Sequence, residues 1–335
     1  MRAIRVLLSL SVAAVIGVIG SSTARGASNA QMANPQLIYA ANGFPATASI
    51  TEYRFDADGD VSPVATISGP DTGLLFGVAG LSVDSNGYLY AATSAVGASP
   101  NAIVVYAPGA NGDTPPARTL TASSYGGVWS VATAVDKNGD LWVANLNLTA
   151  IEEFAPGASG DAAPIRTIEG PATGLVKPSG IAISDRGDVW VADLGAAKVM
   201  RFGPSQSGNV APKQVIAGPV TGLNEPVGVS LGPGTLWVSN VSIIPEGTVR
   251  EFSSIANGDV APIRVINPLG QQPFALNGGP VDVAGDVIFP CLTGGQSSAV
   301  LVYRDDVAST RGYLPLRVIN GQNTGLVSTG WIAVH

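Results

Sequence analysis

A six-bladed β-propeller is the fold this sequence predicts, and three observations predict it. A proline-anchored segment recurs six times, turn residues hold fixed places within each copy, and the last copy is out of phase with the first. Each blade is expected to be a four-stranded antiparallel sheet, with the C-terminal strand closing the ring on the N-terminal blade.

The repeat is clearest around "PVATI" at Pro63, "PARTL" at Pro116, "PIRTI" at Pro164, "PKQVI" at Pro212, "PIRVI" at Pro262 and "PLRVI" at Pro315. The prolines are spaced 53, 48, 48, 50 and 53 residues apart. A period near fifty suits propeller blades and exceeds that of most helical solenoids.

Within one unit, four short runs rich in β-branched and aromatic residues predict four strands: 180–184, 188–193, 198–202 and 212–216. Between the first two lies "SDRGD", matched by "DSNGY" at 84–88 and "DKNGD" at 136–140, whose glycine supplies the positive φ of a tight hairpin. "PGASGDAAP" then forms a longer outer hairpin, and its proline starts an outer strand where a missing amide donor does least harm.

Second strands begin at Ile38, Leu89, Leu141, Val189, Leu236 and Ile288, and first strands at Leu81, Thr133, Ile181, Val229, Val281 and Ile332. The chain therefore enters on a second strand and leaves on a first, so "GWIAVH" is expected to supply the innermost strand beside "LIYAANG" and leave no free inner edge. Tyr39, Tyr90, Trp142, Trp190, Trp237 and Phe289 fall at equivalent places, one large ring per blade, which suits wedge filling better than a ligand platform.

Composition agrees: charged residues are 12% of the chain, and 42 Gly and 24 Pro imply many turns. Arg2 and Arg5 precede an apolar run from Val6 to Gly20, followed by small residues, the pattern of a secretory signal over 1–30 with cleavage after Gly26 or Ala30. A short segment 31–36 then leads into the propeller at 37–335. The expected protein is secreted or periplasmic and monomeric, off the membrane once the signal is cleaved; an uncleaved N-terminal anchor is the minor alternative.

Without residues 1–30, 14 basic face 24 acidic residues. No basic face is visible, which argues against nucleic acid as a partner. Cys291 has no second cysteine to bond and sits in the apolar run "VIFPCLTG" as an expected inert core thiol.

The stretch "KPSGIAISDRGDVWVADLGAAKVMRF" resembles the NHL-repeat pattern. The resemblance extends over 37–335, weakens around 265–300, and places the chain near the SMP-30/gluconolactonase and streptogramin-lyase-like propellers. It implies the fold more than any function, since such propellers serve as lactonases, lyases and plain binding proteins.

In such a ring, the loops from fourth to first strand and from second to third strand share one face. Their Thr-Gly-Leu turns repeat and so suggest packing; a ligand would be met where the copies differ. Second strands end there in Asn42, Thr93, Asn145, Asp193, Asn240 and Leu292. A ring of amides with one carboxylate would suit calcium or sugar hydroxyls, although Asn and Asp also end strands by bonding nearby backbone. Asp193 and Asn145 lead the candidate ligand-binding residues, with Asn42, Asn240, Lys177, Glu225, Trp129 and Asp282.

The resemblance to lactonases implies a metal-binding carboxylate just before the first-strand glycine. Here that place holds Ala79, Val131, Ser179, Val227, Gly279 and Gly330. The lyase resemblance implies a histidine, and the single one, His335, aligns with turns on the opposite face. Asp56, Asp58 and Asp60 in "DADGD" imitate a calcium loop, but Val61 and Ile67 break the pattern. "NLT" at 147–149 and "NVS" at 240–242 match the N-glycosylation triplet.

The reading is a binding module for a small molecule or protein, with no catalytic residue and no required cofactor. The alternative is a metal-dependent hydrolase or lyase built on the Asn/Asp ring with Asp282.

Overall fold

The computed structural model describes residues 36–43, 48–74, 77–93, 102–121, 131–241, 247–267, 281–283, 285–293, 297–304 and 314–335. The expected signal segment and Trp129 lie outside these residues, and Asp282 and Leu292 are described by their backbone alone. From Gln36 to His335 the chain forms one unit of six four-stranded sheets.

The first blade runs from the inside outwards as 331–334, 37–42, 49–54 and 65–67. Ile332 pairs with Ala40 and Ala333 with Tyr39, so the C-terminal strand closes the ring as expected. The next four blades start with innermost strands 78–83, 131–135, 178–183 and 226–232, and the sixth comprises 281–283, 286–293, 297–304 and 317–319. Alternation on the short strands sends successive side chains to opposite faces, so each blade packs against both neighbours. The result is six apolar clusters, one in each gap between blades. Trp142 and Trp237 are fully buried there; truncating either to alanine should cost about 3–5 kcal/mol.

The "SDRGD"-type hairpins form for local reasons. Asp84 Oδ1 accepts the amides of Asn86 and Tyr88, and Asp136 Oδ1 those of Asn138 and Asp140. Gly87, Gly139 and Gly187 close these turns at φ of 82°, 85° and 81°.

The outer "PGASGDAAP"-type hairpin reaches across to the preceding blade. Gly112 donates to Thr66 O at 2.7 Å and accepts from Ser68 N at 3.1 Å, while Asn111 Oδ1 takes the Thr66 amide. The exposed edge of one blade is thereby covered by the next, which removes a template for intermolecular strand pairing. One residue further along, Asp113, Asn209 and Asp259 accept the first amides of the Pro-x-Thr turns at 70–72, 171–173 and 219–221. "DADGD" does the same work: Asp58 takes the Val318 amide and Asp60 the Asn323 amide, fastening blade one to blade six.

The sixth blade departs from the sequence alignment. Val281 pairs with Ile288, Leu301 with Phe289, and Val300 with Ile319. The corresponding pairs in blade four are Ala182 with Trp190, Met200 with Val191, and Val199 with Ile216. Ile288 therefore occupies the aromatic position, and Phe289 sits one place later, facing blade five. There it stacks on Tyr303 with ring centroids 5.4 Å apart. By the same shift, Cys291 rather than Leu292 stands at the strand-end place held elsewhere by Asn42 and Asp193, and Asp282 aligns with Ile183. Burial pushes the Cys291 thiol up to about 12, in keeping with an inert core residue.

Candidate functional site

On the loop-rich face, the ends of the second strands are buried and hydrogen-bonded to neighbouring loops. Asp193 accepts three backbone amides: Val176 at 2.8 Å, Lys177 at 2.9 Å and Ala196 at 2.8 Å. Asn240 Oδ1 accepts those of Asn224 and Glu225, at 2.8 and 3.1 Å. Asn42 donates to Thr51 Oγ1 and accepts from Thr329 Oγ1 and Val327 N. In each case the side chain ties the second strand to the loop entering the same blade. Lys177 and Glu225 contribute backbone to these ties and leave their side chains exposed. The Thr-Gly-Leu turns are equally self-contained, with buried Thr72, Thr173, Thr221 and Thr324 each donating back to the glycine that precedes the turn.

Asn145 differs. Its Oδ1 accepts the Leu148 amide, and its Nδ2 donates at 3.1 Å to Glu152 Oε2. Glu152 is buried, and that burial raises its pKa, helped by Glu169 and opposed by the Asn145 hydrogen bond. The equivalent residues of blades one, two, four and five are Thr51, Val104, Met200 and Arg250. Glu152 was open to discovery from sequence alone, because it is an acid at a position where those blades carry none.

The opposite face carries a cluster of charged side chains. A cavity of about 330 Å³ opens between blades three and four, lined by Asp136, Lys137, Asn138, Trp142, Glu153, Arg166, Ser184, Asp185, Arg186, Gly187 and Pro204. Carboxylate oxygens of Asp136, Asp140 and Glu153 lie within 4.8 Å of one another, the one such group among the described residues that could hold a cation. Desolvation, then the neighbouring Asp136 and Glu153, raises the Asp140 pKa. Arg166 partly satisfies the cluster: its Nε meets Glu153 Oε2 at 2.5 Å, its guanidinium lies 4.4 Å over the Trp142 ring, and Nη1 bonds Pro204 O. Related pairs, Arg264 with Glu251 and Arg317 with Asp286, occur in blades five and six, so the arginine is part of the repeat.

His335 stands on this face too, exchanging backbone hydrogen bonds with Leu37 and lying beside Gly87. Of the two glycosylation triplets, Asn147 is exposed, whereas Asn240 is buried in the loop tie already described.

No protein-family model matches the chain, and no curated protein matches it. Solved structures do match. A protein of unknown function from Bacteroides caccae aligns with a TM-score of 0.61 at 13% identity, covering 90% of this chain and 99% of its own. A Lactobacillus plantarum protein aligns at 0.55 and 12%, with the same coverage. A candidate 6-phosphogluconolactonase from Bacteroides fragilis aligns at 0.53 and 14%, covering 89% of this chain and 84% of its own. At these identities the likeness establishes the six-bladed propeller and nothing of the chemistry.

Proposed function

We propose that this chain is an exported, monomeric propeller acting as a binding module, taking a small molecule or a protein on its loop-rich face with no catalysis and no required cofactor. The observation that supports it is the use of Asp193, Asn240 and Asn42: the side chains best placed to form a metal-holding ring are engaged by loop amides. They make a rigid support for loops that differ between blades, and such loops are where a ligand would be recognised. Lys177, Glu225 and Trp129 are the candidates on or near those loops, whereas Asp282 aligns with Ile183 at the hairpin end of its innermost strand, towards the opposite face. Purified protein assayed against a panel of lactones should show no turnover; chelator-sensitive hydrolysis at enzyme-like rates would overturn the reading.

The second reading is a metal-dependent, lactonase-like hydrolase. It draws on the fold shared with the candidate lactonase and on the Asp136, Asp140 and Glu153 cluster, which lies on the face opposite to the Asn/Asp ring. Calcium titration separates the two. Under this reading calcium raises thermal stability in the native chain and not in Asp140→Asn, and an unchanged melting curve would remove it.

A further inference from the structure

We propose that Trp331 is a plug that closes the central channel just inside the loop-rich face. It is the first residue of the C-terminal strand and pairs with Ala41. The residues at the same register in blades two to five are Gly80, Ala132, Gly180 and Gly228, paired with Ala92, Ala144, Ala192 and Ser239. One indole thus stands in a layer where those four innermost strands carry a hydrogen or a methyl group.

The small residues are there for a steric reason. Innermost strands converge so closely that a Cβ on Gly180 would lie 2.6 Å from Gly228 Cα and 2.7 Å from Val227 O. A large side chain fits this layer only by extending into the axis of the ring. Trp331 does so: it packs against the cluster between blades one and two and also against the cluster between blades three and four, which includes Ala132 and Ile181. It therefore spans from its own blade to the far side, and it remains partly exposed. Strand closure and channel closure are one event, since the residue that blocks the axis belongs to the strand that completes the ring. A ligand on the loop-rich face would meet a blind cup with an indole floor, and none would pass through to the cavity on the opposite face.

The test is Trp331→Ala with free indole as the probe. The variant should melt below the native chain, and saturating indole should restore several degrees of the loss while leaving the native protein unmoved, as a cavity shaped by an aromatic ring accepts one. A folded variant that indole does not stabilise overturns the plug. Should the alanine variant not fold, Trp331→Phe serves. The difference in emission between native and phenylalanine chains isolates Trp331, which should be blue-shifted and largely protected from iodide. Emission at the wavelength of free indole, fully quenched by iodide, equally overturns the proposal.

Discussion

Asp193 and Asp136 are both aspartates at hairpins of neighbouring blades, on opposite faces of the disc, and their surroundings put them to different uses. Asp193 is fully buried where three amides from two loops converge, so its charge is spread over donors that would otherwise be orphaned. Asp136 accepts two amides of its own turn, but Asp140 and Glu153 crowd the same space, with Arg166 the nearby counter-charge. A carboxylate where amides converge is a staple; where carboxylates converge, one of them, Asp140, is pushed towards its protonated form, and the group as a whole could hold a cation.

Among the changes that bear on this contrast, the largest expected effect comes from removing the staple. Asp193→Ala leaves three amides without their acceptor and should cost on the order of 3 kcal/mol, lowering the melting temperature by about 5 °C. Asp193→Asn should lie between, because one oxygen still accepts while the amide nitrogen opposes the Val176 amide. A change of under about 1 °C in the alanine variant would show that water replaces the carboxylate at little cost.

Next come the capping aspartates between blades. Asp60→Ala and Asp259→Ala each remove an acceptor from the first amides of a Pro-x-Thr-type turn, and each should cost about 1 kcal/mol. Urea unfolding should give equal losses for the two. A larger loss at Asp60, which sits on the seam between blades six and one, would mean that the ring opens first where the chain ends meet.

Most of the fold was legible because its signals are local. Proline at the start of an outer strand, glycine in a hairpin and a β-branched run each act within a few residues, and repetition multiplies them. The sixth blade was misregistered because "IFPCL" offers an aromatic one place late. Cross-strand pairing of Ile288 with Val302 decides the register, and that partner lies fourteen residues away. Trp331 stood in plain view as a tryptophan in a column of glycine and alanine, and its meaning required knowing that the column lines the axis. The carboxylate cluster was hidden differently: Asp140 reads as turn chemistry in "DKNGD", while Glu153 and Arg166 come from the two outer strands, so folding alone assembles the group.

The smallest effect is the most discriminating for the hairpin face. Burial and its acidic neighbours raise the Asp140 pKa in the folded protein above its ordinary value of 3.8, so the native state holds a proton there more tightly than the unfolded chain does. With respect to this group, stability is fully present below 3.8 and declines as pH rises through the raised folded value, then stays level. Asp140→Asn removes the ionisation and its cost. The variant should therefore melt slightly above the native chain at pH 7, and the difference should vanish near pH 3.5, where both side chains are neutral. Calcium at pH 7 should erase the same difference from the other side if the cluster holds a cation, by stabilising the native chain alone. An Asn variant less stable than the native chain at every pH would instead mean that the Asp140 carboxylate acts as a staple like Asp193, and the contrast between the two faces would disappear.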